Sequence, residues 1–213
     1  MIEEKYEYLK ESLETYIERL SGKTPCPGGG SAAVVSVSLS NALIQMVCNF
    51  SVESKKLGET SKQISKEILA KAIEIQSVLN KSIEKDSILY EKIQKTMKDA
   101  KKFPDKFKEY QDALKKSVEF HMDILEYCKN LVEWNEKLVE HCNPYLISDV
   151  GVSASLVVGA LKATRVNIFV NLYSINDHDY ISDIEKKLET NYQTLLEKTI
   201  EVVSKVERKL VKR

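Results

Sequence analysis

Thr24-Pro25-Cys26-Pro27-Gly28-Gly29-Gly30-Ser31 opens a stretch that runs to Val52 without one Asp, Glu, Lys or Arg, in a chain of 213 residues that is 30% charged. Two prolines fix the approach, and Pro27 has no N–H to donate. Three glycines then remove side chains, so another group can come close to the main chain. Ser31 suits a helix N-cap, its hydroxyl accepting from an orphan amide. The product is a helix N-terminus with bare amides, able to receive an anionic or carbonyl-bearing ligand. An ordinary tight turn capping a core helix fits the same shape, and the bend alone leaves both readings open. A nucleotide P-loop is excluded, because no Gly-Lys-Ser/Thr closes the motif.

Working outward, the uncharged helix is predicted over about Gly30 to Phe50. Its geometry puts Ser31, Val35, Ser38, Ala42, Gln45 and Asn49 on one stripe of mostly small residues, with Val34, Val37, Leu39, Leu43 and Val47 around the rest. Apolar or small on every side, it reads as a buried helix. Before it, Ile2, Tyr6, Leu9, Leu13, Tyr16, Ile17 and Leu20 predict an amphipathic helix that stops at Gly22. After it, a charge-rich helix over Ile64 to Met97 carries Ile75, Leu79, Ser82, Asp86, Tyr90, Ile93 and Met97 on one stripe. Asp86 is an acid on a face that otherwise packs. Phe103-Pro104 breaks that run. A fourth helix runs from Phe107 to the stop at Asn143-Pro144. Ser148-Asp149 reads as the N-cap of a second low-charge helix reaching about Leu172, with Asp149, Ser153, Leu156, Ala160, Asn167 and Asn171 on one face. Asn176-Asp177 is a turn, and Ile181 to Leu210 is a last amphipathic helix. No segment reads as a strand. The expected fold is all-α: a single-domain bundle of long helices over residues 1–213, with two nearly uncharged central helices.

Bulk composition narrows the function classes. Lys+Arg and Asp+Glu are both 32, so nothing calls for nucleic acid or an anionic membrane surface. Thr24–Val52 is long enough to span a bilayer, but its glycines, serines, Asn41, Gln45 and Asn49 suit burial in protein. Lys162 and Arg165 argue the same for the second low-charge helix. The four cysteines are dispersed, with no C-x-x-C pair, which favours free thiols in a reducing compartment. The N-terminus, M-I-E-E-K-Y, lacks the apolar core of a signal peptide. The expected location is the cytoplasm.

Five segments carry a resemblance. T-P-C-P-G-G-G-S-A-A at Thr24–Ala33 is followed in order by M-V-C-N-F-S at Met46–Ser51 and D-S-I-L-Y at Asp86–Tyr90. Then come N-P-Y-L-I-S-D-V-G-V at Asn143–Val152 and V-N-I-F-V-N-L at Val166–Leu172. Together they resemble the cyclodeaminase/cyclohydrolase family, over nearly the whole chain. The family includes the cyclodeaminase domain of formiminotransferase-cyclodeaminase and stand-alone methenyltetrahydrofolate cyclohydrolases. The chain departs from the family pattern at Glu53-Ser54, where a glycine usually precedes the lysines. It also lacks a proline near Glu119-Phe120 and carries Cys142 in place of a common glycine.

The resemblance implies an all-helical homodimer acting on a tetrahydrofolate one-carbon unit, with or without a polyglutamate tail, and with no metal and no organic cofactor beyond that substrate. In the cyclodeaminase reaction, N10 of 5-formiminotetrahydrofolate attacks the formimino carbon and ammonia leaves. In the cyclohydrolase alternative, water opens the 5,10-methenyl bridge to 10-formyltetrahydrofolate. A helical interaction protein without chemistry, or a folate binder without turnover, are the rival readings.

Both reactions need a positioned acid/base, worth about 10²–10⁴-fold. Asp86 and Asp149 are the acids flanked by apolar sequence. Burial favours the protonated carboxyl and an N-cap role the ionised one. On that basis Asp86 is the expected proton shuttle, and Asp149 a helix cap or a partner for the pterin N–H groups. Pro27, Gly28, Gly29, Gly30 and Ser31 are expected to hold the ligand, with Asn167 and Asn171 as pterin contacts or helix ties. Lys162, Arg165, Lys55 and Lys56 are candidates for the glutamate carboxylates. His121 reads as a hydrogen-bonded core histidine, His141 as a lesser acid/base candidate, Asp177-His178-Asp179 as a polar turn and Cys48 as an inert thiol.

Overall fold

The computed structural model describes residues 6–211, which contain six α-helices and no strand. They are α1 (Leu13–Ser21), α2 (Gly29–Glu53), α3 (Glu59–Lys102), α4 (Phe107–His141), α5 (Ile147–Leu172) and α6 (His178–Val211). The all-α bundle expected from the sequence is what forms. Ile2, which the periodicity placed in the first helix, lies outside the described residues.

Two predicted starts are corrected. Gly28, not Ser31, is the N-cap of α2, because a bend free of side chains lets the helix begin three residues earlier than a Ser31 cap would. Ser148-Asp149 does not cap α5. A single 3₁₀ turn at Pro144–Leu146 runs straight into a helix beginning at Ile147. The cap there is Asn143, whose side chain accepts from the Tyr145 amide, with Pro144 at the first position, where no N–H is missed. Asp149 therefore lies inside the first turn of α5, where a carboxylate faces the positive end of the helix dipole.

The central helices α2 and α5 lie side by side, tied by small polar residues. Ser40 Oγ sits 2.9 Å from Ser153 Oγ and donates to the Ser153 carbonyl at 3.1 Å, while Asn135 of α4 donates to Ser153 Oγ at 3.1 Å. On the other side, Asn41 donates to the Ala72 carbonyl of α3 at 2.8 Å and to Gln76 at 2.9 Å. These bonds satisfy polar groups that would otherwise be costly inside a core. Val34, Val37, Ile44, Val47, Val157 and Leu161 fill the space between. Gly151 lets α6 approach α5, since a Cβ there would lie 2.8 Å from Val206 Cγ1.

The expectation that both low-charge helices are buried all round is also corrected. Both are long and apolar enough to cross a membrane, yet only 56% of the most apolar part of α2 and 39% of that of α5 is buried within the chain. The predicted small stripe of α2 is not the packed one: Ala42 and Asn49 are exposed, while Val34, Val37, Asn41 and Cys48 face inward. Leu39, Phe50, Val152, Val166 and Val170 are left more than half exposed. Helix α1 behaves likewise. Tyr16 turns inward against Tyr8, while Leu13 and Ile17 face out.

Candidate active site

The start of α2, the C-terminal half of α3, the N-terminal half of α4 and the end of α5 line a cavity of about 370 Å³, within the usual size for a small-ligand site. Gly28, Gly29 and Gly30 form one wall, and Pro25 and Cys26 its approach. Helix α3 contributes Asp86, Tyr90, Ile93 and Met97, so the stripe read from the sequence lines the cavity. Helix α4 adds Leu114, Ser117 and His121, and α5 adds Asn167 and Asn171.

The closest contact is between the bend and the acid. A Cβ on Gly30 would lie 2.0 Å from Asp86 Oδ1 and 2.5 Å from its Cγ. Only glycine leaves room for the carboxylate against the backbone. The Ser31 amide then donates to Asp86 Oδ2 at 2.9 Å, and the helix N-terminus favours the negative charge. Asp86, not Asp149, is thus the acid that receives a first-turn amide. Its side chain is 14% exposed and opens on the cavity.

Ser31 is fully buried, its hydroxyl 3.1 Å from the Tyr16 hydroxyl. Its polar atoms hold the bend and the acid, so it supports the site without facing a ligand. Burial raises the Tyr16 phenol above its ordinary range, with the Asp86 charge adding to the effect. Burial also pushes the Cys26 thiol up, and that of Cys48 to about 12. These are neutral, unreactive groups.

The asparagines are held by their own helix. Asn167 donates to the Ala163 carbonyl at 2.9 Å, and Asn171 to the Asn167 carbonyl at 2.8 Å and to Ser117 Oγ at 3.2 Å. Asn171 uses both of its N–H donors and Asn167 one of two, and their oxygens are left to accept from a ligand. Asn167 Oδ1 already points at the bend, 3.9 Å from where a Gly29 Cβ would be.

The structure does not bring every predicted residue here. Pro27 lies behind the wall formed by its neighbours and does not line the cavity. Asp149 is eighteen residues before Asn167 on α5, about 27 Å away along the helix. Lys162 is exposed on the outer side of α5, and His141 lies elsewhere, 3.1 Å from Ser61 Oγ. Among the described residues, no cluster of three His, Cys, Asp or Glu side chains could hold a metal ion.

His121 is the residue that sequence reasoning undervalued. It is hydrogen-bonded and buried, as expected, but through Nδ1 alone, 2.8 Å from the Ser117 carbonyl. Among the described residues Nε2 has no hydrogen-bond partner, and it sits 3.4 Å from Asp86 Oδ1. The apolar face of α4 shows a histidine in the core, but not which ring nitrogen is left over.

Comparison with known proteins converges on one family. The formiminotransferase-cyclodeaminase family model matches residues 12–190. The chain is 27% identical over 183 residues to a methenyltetrahydrofolate cyclohydrolase of Methylorubrum extorquens, covering 84% of this chain and 88% of that protein. It is 25% identical over 172 residues to the formimidoyltransferase-cyclodeaminase of Gallus gallus, covering 79% of this chain and only 32% of that longer protein. The crystal structure of a formiminotetrahydrofolate cyclodeaminase from Thermotoga maritima superposes with a TM-score of 0.87 at 28% identity, covering 96% of this chain and 100% of that one. With most of its length matched and its fold shared, the chain belongs to the formiminotransferase-cyclodeaminase family.

Proposed function

We propose that this protein is a one-carbon folate enzyme, a formiminotetrahydrofolate cyclodeaminase, with its chemistry at Asp86. The observation that carries this reading is one carboxylate held against a glycine wall, opening on a cavity whose opposite side presents two amide oxygens. A pterin lies flat against Gly28–Gly30, its ring N–H and amino groups donating to Asn167 and Asn171. The one-carbon unit then faces Asp86. The formimino group enters as its C=NH₂⁺ cation. N10 attacks the formimino carbon, Asp86 takes the N10 proton, and the same proton goes to the amine nitrogen as the third hydrogen of ammonia. The positive charge stays on the bridge. Ammonia leaves, and the C–N10 bond becomes part of the methenyl bridge. Proton transfer by one group to both nitrogens needs no net change in the enzyme. We assign Asp149 no part in this chemistry within one chain.

Methenyltetrahydrofolate cyclohydrolase is the second reading, favoured by the Methylorubrum relative. Water would replace N10 as the nucleophile, and N5 would be protonated as its bond to carbon breaks. Two assays on one preparation separate them: ammonia release from 5-formiminotetrahydrofolate, and decay of methenyl absorbance. Cyclodeamination predicts the first at a rate well above any hydrolysis. Neither product, with no folate binding, would leave the helical interaction protein.

The glutamate carboxylates of the substrate find a different cation set from the one expected. Arg165 lies over the Phe169 and Tyr192 rings, and Lys56 over the Tyr145 ring. A groove of about 910 Å³ instead adjoins the cavity, sharing Pro25, Tyr90 and Gln94 with it, and carries Lys92, Lys95 and Lys98 along α3. We assign the tail to these lysines. Replacing all three with glutamine is expected to raise KM for a triglutamyl substrate about tenfold and leave the monoglutamate within about twofold. The difference should shrink as salt screens exposed charge.

We also propose a cytoplasmic homodimer. Four buried thiols and no disulfide fit a reducing compartment. The outward apolar faces of α2 and α5, with Leu39, Phe50, Val152, Val166 and Val170, fit a second copy of the chain. Light scattering is expected to give twice the chain mass, and Val166→Asp with Val170→Asp to halve it.

A further inference from the structure

We infer that His121 is the second half of the acid/base group: Asp86 Oδ1 and His121 Nε2 hold one proton between them, and the pair performs the transfer. This rests on the folate reading above and adds a residue to it. The Ser117 carbonyl can only accept, so the bond at His121 Nδ1 fixes the ring hydrogen on that nitrogen. In the neutral ring Nε2 is then a bare acceptor. It faces a carboxylate oxygen 3.4 Å away, inside the protein, with no other partner among the described residues.

Two acceptors face to face repel, and the buried one, Nε2, is left unsatisfied. One proton between them removes both penalties. It lies on Nε2 as an imidazolium facing a carboxylate, or on Oδ1 as an acid facing a neutral ring. The surroundings offer little competition. Helix α2 has no charged residue before Glu53, and α5 presents neutral Asn167 and Asn171. The bend brings the Cys26 thiol, Tyr16 stands behind Ser31, and Tyr90 of α3 and Tyr110 of α4 complete the hydroxyls around the cavity. On α3, Lys85 lies over the ring of Phe120.

The second oxygen of Asp86 is committed to the Ser31 amide, so Oδ1 is the one free to exchange. As the C–N10 bond forms, N10 gives its proton to the pair. The pair gives a proton to the amine as the C–N bond to ammonia breaks, returning to one proton. Ser117 ties this to substrate placement: its carbonyl sets the His121 ring, and its hydroxyl accepts from Asn171.

His121→Gln keeps a polar group of similar reach without an exchangeable ring proton. It is expected to lower kcat about 10²-fold, at the lower end of acid/base contributions, with KM within about threefold and an unchanged thermal midpoint. One limb of the pH profile of kcat/KM should disappear, and added imidazole should restore part of the activity of His121→Ala. Wild-type kcat with both limbs intact, or a loss matching only a loss of folded protein, would overturn the inference. Ring nitrogen NMR of the protein without substrate tests the pair even if neither folate is turned over. The wild type should show Nδ1 protonated and Nε2 sharing a proton, and Asp86→Asn should return Nε2 to a plain acceptor. A ring protonated on Nε2 alone, or an Nε2 signal indifferent to Asp86→Asn, would equally overturn it.

Discussion

Asp86→Asn is expected to lower kcat by about 10²–10⁴-fold, the range of a lost positioned acid/base, while the protein still folds. The two effects separate because the side chain does two things. An asparagine oxygen can still accept from the Ser31 amide, now at 2.9 Å from Oδ2, so the start of α2 keeps its cap. What is lost structurally is a charge near a helix N-terminus, about 0.3–1 kcal/mol. What is lost chemically is the only carboxyl that lines the cavity among the described residues. Circular dichroism and a thermal melt on the same sample as the rate assay check both halves. A variant that unfolds would show that Asp86 is chiefly structural.

Gly30→Ala is expected to abolish activity to a similar degree by a different route. Gly30 has an ordinary backbone conformation, so alanine there carries no backbone strain and improves intrinsic helix propensity by about 0.5–1 kcal/mol. Its methyl would nevertheless occupy the place of the Asp86 carboxylate, 2.0 Å from Oδ1. The carboxylate must swing out, taking Oδ1 away from the one-carbon centre and from His121. Displacements of about 1 Å in catalytic groups cost about 10²-fold, and this one exceeds that. Gly159→Ala in α5, away from the cavity, is the internal control, since a methyl there meets nothing within 4 Å, and its kcat is expected to stay within a few-fold of wild type. Rate measurements on the two alanine variants side by side check the prediction; equal rates would contradict it.

The helices were legible because their apolar periodicity is long and their stops are prolines and glycines. The Asp86 stripe and the glycine bend were legible for a related reason: an acid on a packing face and three glycines before an uncharged helix are local anomalies. What brings them together is not local. Fifty-five residues separate Ser31 from Asp86, and no periodicity shows that Gly30 is small for the sake of that carboxylate. The cap of α2 was placed on Ser31 because serine is a good cap in isolation; here its amide goes to Asp86 and its hydroxyl to Tyr16. The start of α5 was read from Ser148-Asp149, whereas Asn143-Pro144 sets the turn ahead of it. The exposed sides of α2 and α5 were misread because an uncharged helix face left at the surface has the same composition as one that is buried. His121 was placed correctly and valued too low, since its function depends on which nitrogen is left without a partner.

The most direct test of this site is a crystal structure with an unreactive tetrahydrofolate analogue bound. The pterin is expected between Gly28–Gly30 and the oxygens of Asn167 and Asn171, with the one-carbon position within hydrogen-bond reach of Asp86 Oδ1 and the tail over Lys92, Lys95 and Lys98. A pterin seated at the opposite end of α5, beside Asp149 and away from Asp86, would contradict it.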